Sequence, residues 1–126
     1  DYFTKLPGGG LEFGEGTRDC LVREYMEETG IEVSIKSHLY TTDFFQISAF
    51  NNTDQIISIY YTVEAISNTE LIRTSTKAFD FTEDQISDNT KCAESFRWVS
   101  IDAVSEETMS LPIDKVAIRI LKEQLG

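Results

Sequence analysis

Between positions 9 and 31 the chain sets glycine, acid and arginine at intervals that leave few options for its local fold. Gly9 is followed six positions later by Glu15, and Glu15 eight positions later by Arg23. The run Arg23-Glu24-Tyr25-Met26-Glu27-Glu28-Thr29-Gly30-Ile31 completes the pattern. So many fixed identities in register are far beyond what average composition assembles by chance. Leu6-Pro7-Gly8-Gly9-Gly10 reads as a sharp loop. Glycine there lets a ligand approach the backbone closely, and successive N–H groups cradle anions. Leu11 to Phe13 alternate as a short strand would, and Gly14-Glu15-Gly16 breaks the chain again. Thr17 is expected as a helix N-cap, with Arg18 the first helical residue. The helix is expected to run to about Thr29, with Gly30 as the left-handed residue that ends it.

On that helix the acids fall together. At about 100° per residue, Glu24 and Glu28 lie in one narrow stripe and Glu27 about 60° to its other side. Leu21, Val22, Tyr25 and Met26 take the opposite face and are expected to pack on a sheet. Like charges at i,i+3 and i,i+4 destabilise a helix by a few tenths of a kcal/mol per pair. A divalent cation would reverse that sign, and hard cations such as Mg²⁺ prefer oxygen ligands while keeping water and substrate phosphate in their shell. A solvated acidic face is the plain alternative. It leaves the register of Gly9, Glu15, Arg23 and Gly30 unexplained.

The same residues resemble the signature box of the Nudix hydrolases, G-x5-E-x7-R-E-U-x-E-E-x-G-U with U a bulky apolar residue. Gly9, Glu15, the Arg23-Glu24 pair, the Glu27-Glu28 pair and Gly30 stand at its fixed positions. Ile31 fits the second U, and Tyr25 departs from the aliphatic residue usual at the first. Leu6-Pro7-Gly8 and Phe96-Arg97-Trp98-Val99 look like this family too, with lower specificity. The resemblance implies an α/β/α sandwich with a mixed central sheet, and Mg²⁺, or Mn²⁺ in its place, as cofactor. It implies that Glu24, Glu27 and Glu28 hold the metal with the Gly9 carbonyl. It further implies that Gly8, Gly9, Gly10 and Glu15 complete the binding set and that Arg23 orients Glu15 or a neighbouring carboxylate. Nudix-like enzymes often recruit one more carboxylate from outside the box. Glu94 is the choice here, with Glu83, Asp84 and Asp88 behind it. A dimer is common in such families.

A chain of 126 residues points to one domain, spanning 1–126. Its net charge of −11 argues against binding nucleic-acid duplexes, which needs a basic face. Nucleotides stay open, because metal ions neutralise their phosphates. Cys20 and Cys92 are far apart with no metal-like spacing, and read as reduced thiols of a cytoplasmic protein. No transmembrane run or signal peptide is visible. Only eight residues precede Gly9. Domains of this kind generally place one or two strands there, so N-terminal strands are expected to be missing from the chain.

Residues 31–48 are rich in Ile, Val, Tyr and Phe and read as one or two strands. Phe50 to Asp54 is a turn cluster, and Gln55 to Ile66 the clearest strand, so the two segments suggest an antiparallel hairpin. Residues 80–94 read as acidic loop, and Phe96 to Val99 as a final strand before a turn at Ser100-Ile101-Asp102. Pro112 opens a second helix with an apolar stripe of Ile113, Val116, Ala117, Ile120 and Leu121. Strands flanked by two amphipathic helices suggest a sheet between helical layers, an α/β fold. Tyr40, Phe44, Phe45, Tyr60 and Tyr61 are candidates to stack on a base, though at least half should be core. His38 is expected at the surface and Trp98 in the core.

The expected activity is Mg²⁺-dependent hydrolysis of a diphosphate bond in a nucleoside diphosphate linked to another moiety. Nucleoside triphosphates, oxidised nucleotides, ADP-ribose, dinucleoside polyphosphates and nucleotide sugars all fit. Glu24 or Glu94 is the expected base, and only geometry decides which. The alternatives are a Nudix-like ligand-sensing module and an acidic cation-binding domain that turns over nothing. An isomerase of isopentenyl diphosphate type shares the box, but needs a cysteine and a glutamate in motifs not found here.

Overall fold

The computed structural model describes residues 5–48, 51–66, 96 and 98–125, and the architecture below is that of these residues. Helix α1 spans Thr17–Thr29. It starts one residue earlier than expected, with Gly16 rather than Thr17 as the N-cap, because the Gly16 carbonyl already accepts the Cys20 N–H at 2.9 Å. Gly30 ends it as expected, in the left-handed region at φ 73°, with its N–H on the Met26 carbonyl at 3.0 Å. Leu11 to Phe13 form no strand. The Glu15 carboxylate accepts the Glu12 N–H at 2.8 Å and the Glu12 carbonyl accepts the Glu15 N–H at 3.3 Å. That closes a turn and leaves no ladder to extend.

Strands β1 (Val33–Thr41) and β2 (Ile59–Ala65) pair antiparallel, from Val33 opposite Ala65 to Thr41 opposite Ile59. Two register shifts on β1, between Ile35 and Ser37 and between His38 and Tyr40, let nine residues match seven. Each inserts a residue that breaks the two-residue alternation and bends the strand. Beyond the ladder the hairpin continues through Thr42 and Ser58 to an isolated bridge of Ile47 with Gln55. It closes at the Asn51–Asp54 turn, where the Asp54 N–H donates to the Asn51 carbonyl at 3.2 Å. The expected hairpin and turn cluster are therefore present, with regular strand confined to the part nearest the helices.

After the turn at Ser100, a 3₁₀ turn (Glu106–Thr108) is closed by a Ser105/Thr108 capping box. Helix α2 follows at Pro112–Leu125, with proline at its first position as expected. Lys122 and Lys115 reach back to donate to the carbonyls of Val104 at 2.6 Å and Glu106 at 3.0 Å. The buried face of α2 is rotated from the expected stripe. Ile113 and Ala117 are buried, but so are Asp114 and Ile118, while Val116, Ile120 and Leu121 are half-buried. The expected strand at 96–99 reduces to a single bridging residue, Phe96, and Arg97 lies outside the described residues. Trp98 is 67% exposed, not core, and among the described residues it lies outside any strand that would turn it inward.

Two helices on an antiparallel sheet make this an α/β fold, in which Val104, Met109 and Ile118 pack with Leu6. Leu21, Val22 and Tyr25 of α1 are half-buried, whereas Met26 is 48% exposed at the margin of a stripe narrower than expected. A largely apolar cleft of about 290 Å³ opens between Leu6-Pro7, Leu21 and Tyr25 of α1, β2 and α2. Among the described residues no helix is long and apolar enough to cross a membrane.

Asp114 is the polar exception in this core. It is 4% exposed and accepts the Tyr60 hydroxyl at 2.5 Å, which ties α2 to β2. Burial pushes its carboxyl above the ordinary aspartate value, although the Tyr60 hydroxyl, the Leu6 backbone and Lys5 pull it down. A carboxyl raised by folding stabilises fully below its unfolded value, and loses that contribution as pH rises through the folded one. Asp114→Asn keeps an acceptor for Tyr60 and removes the buried charge. Tyr60→Phe strands the carboxylate, at a cost of about 1–3 kcal/mol. Urea denaturation at neutral pH should therefore rank Tyr60→Phe well below Asp114→Asn, with Asp114→Asn gaining on wild type as pH rises. Equal losses in the two variants would contradict the assignment.

Candidate active site

One guanidinium organises the loop and the helix behind it. Arg23 Nε and Nη2 close on the two oxygens of Glu15 at 3.0 and 2.7 Å, a fork-to-fork pairing. Nη2 also donates to the Gly10 carbonyl at 3.1 Å, and Nη1 to Glu24 Oε1 at 2.9 Å and Glu27 Oε2 at 3.0 Å. Glu12 stands 3.6 Å from Nη1. The expected orienting contact between Arg23 and Glu15 is present, and it extends to two of the helix acids. Arg23 holds the Glu15 carboxyl down to about 2, below its ordinary value of 4.5, with the Glu12 backbone N–H helping. The carboxylates in turn push the Arg23 guanidinium further up.

Gly9 is where the loop meets the helix acids. A Cβ there would overlap the Glu24 carboxylate, so any larger residue would push that side chain out of its place against the loop. Beneath the loop the buried Cys20 thiol faces the carbonyls of Gly10 at 3.6 Å and Gly9 at 4.0 Å. Burial pushes that thiol up, with Glu15 adding to the shift, so Cys20 is a small packing residue rather than a nucleophile. The roles of Glu12 and of the Gly10 carbonyl were not anticipated, and the only sequence signal for Glu12 was its three-residue spacing from Glu15.

The acids of α1 sit at a costly place. Glu27 and Glu28 fall in the last turn, where the helix dipole disfavours negative charge and the turn itself carries no basic residue. Glu24 is 14% exposed beside Gly9, and Glu27 is 59% exposed. Tyr25, the departure at the first apolar position, lines the cleft, and burial together with the Glu28 carboxylate raises its hydroxyl. Glu28 thus acts electrostatically on Tyr25, and Glu27 is bonded to Arg23. As the side chains stand, no group of three or more His, Cys, Asp or Glu among the described residues is placed to hold a metal ion. The donor chemistry nevertheless fits a hard cation: three carboxylates at helical spacing on α1, with the Gly9 backbone against one of them. Glu24 and Glu27 are drawn to the guanidinium.

Of the stacking candidates, Tyr60 and Tyr61 line the cleft, and Tyr40 stacks on Tyr60 at 6.2 Å between centroids. Tyr61 bonds the Thr17 hydroxyl at 2.7 Å and lies under Arg18 at 5.1 Å, which pins the start of α1 to β2. Phe44 and Phe45 are exposed on the hairpin arm, and His38 is exposed as expected, bonded to Thr41. Glu94, Glu83, Asp84, Asp88 and Cys92 lie outside the described residues.

The resemblance implied that Arg23 orients Glu15 or a neighbouring carboxylate, and the side chain bonds Glu15, Glu24 and Glu27. The NUDIX domain model matches residues 1–123, so the chain belongs to the Nudix hydrolase family. Domains of this family generally act on acid anhydrides as pyrophosphohydrolases and use divalent metals.

The clamp has a measurable signature. A carboxyl depressed by folding contributes stability above its unfolded value, and loses it as pH falls toward the folded one. The Glu15 side-chain carbon, followed by NMR, should titrate near about 2 and return toward 4.5 in Arg23→Gln. An ordinary glutamate midpoint in the wild type would contradict the clamp.

Proposed function

We propose that this chain is a Mg²⁺-dependent hydrolase that cleaves, with water, a diphosphate bond in a nucleoside diphosphate linked to another moiety. Nucleoside triphosphates, oxidised nucleotides and ADP-ribose are typical of the class. The observation that carries the reading is the contact of Gly9 with Glu24, which brings an anion-binding loop against an acidic helix face. Neither part is useful alone. The loop offers N–H groups to phosphate oxygens, and the acids would repel phosphate unless a cation stood between them.

In this reading Glu24, Glu27 and Glu28 hold the cation with the Gly9 carbonyl, and Mn²⁺ can replace Mg²⁺. The ion supplies charge that polarises the diphosphate and acidifies water. The amides of Gly8, Gly9 and Gly10 position the diphosphate. Glu15, held ionised by Arg23, fixes the loop through the Glu12 N–H. The proton of the attacking water passes to a carboxylate, Glu24 or Glu94. The net charge of −11 keeps nucleic-acid duplexes from competing for the site. A cytoplasmic location and a homodimer belong to the same reading.

The test is a hydrolysis panel over these substrate classes, with Mg²⁺ and with EDTA. Wild type would be run beside Glu28→Gln and Gly9→Ala. Turnover should require the metal and fall by about 100-fold or more in Glu28→Gln, the scale of losing a group that acts on the transition state. Glu28→Gln should stay folded, because glutamine keeps the shape of the side chain and removes a carboxylate from the unfavourable end of the helix dipole. Gly9→Ala should displace the Glu24 side chain and lose activity while staying folded. Metal-independent turnover, or full activity in Glu28→Gln, would contradict the assignment. Nucleotide binding without turnover would favour the sensing module.

A further inference from the structure

Arg23 meets its partners along two unlike edges. The Nε–Nη2 edge is bidentate on Glu15, 15% exposed, and also holds the Gly10 carbonyl. The remaining nitrogen, Nη1, divides its bonds between Glu24 and Glu27, the second of which is 59% exposed. A planar two-point pairing is geometrically specific and strong, whereas Nη1 makes only single-point bonds, one to Glu24 at 14% exposure and a weaker one to the exposed Glu27. The guanidinium is thus tightly held on one side and loosely held on the other. Its loose side occupies oxygens of two of the three acids read above as cation ligands.

We propose that Arg23 is an exchangeable counter-ion. A divalent cation and Arg23 Nη1 compete for Glu24 and Glu27, while the Glu15 edge stays closed and keeps the glycine loop in place. The inference rests on the reading that these carboxylates take the cation. It follows from charge as well as from distance. Four carboxylates surround one guanidinium, those of Glu12, Glu15, Glu24 and Glu27. That surplus attracts a dication, but the dication and the guanidinium repel each other over any carboxylate they share. Arg23 therefore lowers cation affinity while it orders the loop. Removing its charge has opposite effects on binding and on turnover. A residue whose only role was to orient Glu15 would weaken both together.

The experiment is Mn²⁺ binding to the full chain, followed by the electron paramagnetic resonance signal of the free ion, for wild type and Arg23→Gln. Circular dichroism would check the fold of each. Arg23→Gln should bind Mn²⁺ roughly threefold tighter or more, the scale of two weak ion pairs removed, although its turnover falls. Weaker binding in a folded Arg23→Gln, with wild type still binding, overturns the exchange and leaves the metal site standing. A wild type that binds no Mn²⁺ overturns the site and the exchange together. Should Arg23→Gln not fold, the wild type carries the test through ¹⁵N-labelled arginine. On adding Mg²⁺ the Arg23 Nη resonances should shift while the Nε–H stays slow to exchange with solvent. Change at neither position, or loss of both protections, overturns the proposal.

Discussion

The pairing of Arg23 with Glu15 is the contact on which the rest of the site depends. It joins a residue in the middle of α1 to one in the turn before it, and the Gly10 carbonyl shares the same guanidinium. Glu15 in turn holds the Glu12 N–H, so loop, turn and helix are closed by a single charge. A glycine-rich loop loses more conformational freedom on ordering than any other segment of equal length. Among the described residues nothing is packed where a side chain of Gly8 or Gly10 would stand to offset that cost. A short, bidentate, charge-assisted contact is one of the few interactions that can, because it is both strong and directional.

This arrangement explains why the helix tolerates acids where they are costly. Glu24, Glu27 and Glu28 repel one another at helical spacing, and the last two sit at the negative end of the dipole. Arg23 offsets part of this through Glu24 and Glu27. The helix is anchored elsewhere, by Thr17 and Arg18 on Tyr61 and by Leu21 and Tyr25 at the cleft. These anchoring contacts leave Glu24, Glu27 and Glu28 for the role proposed above. Local rules broken on one side of an element and obeyed on the other are what a functional face looks like.

The parts legible in the sequence were those that local physics decides. Gly30 had to end α1, Pro112 had to open α2, and the turn at residues 51–54 had to separate two strands, because backbone preference acts within a few residues. The Arg23–Glu15 contact was legible because both side chains are fixed by the register of one motif. What was not legible depends on who is available as a partner. Leu11 to Phe13 alternate like a strand but close a turn, since Glu15 claims the backbone that a neighbour would need. Trp98 is apolar enough for a core but, among the described residues, lies outside any strand that would turn it inward. Asp114 lies outside the expected apolar stripe, and is buried with Tyr60 reaching it from another element. The Nη1 bonds to Glu24 and Glu27 were hidden for a similar reason. Shared helical position predicts a common face, not which ion each side chain will seek.

The central claim is that Arg23 and Glu15 act as one unit. A double-mutant cycle of Glu15→Gln and Arg23→Gln, read by urea denaturation, tests it directly. The account predicts strong coupling, with the double variant losing little more stability than either single one. Losses that simply add would mean that the two side chains stabilise the chain independently, and that the loop is held to the helix by something else.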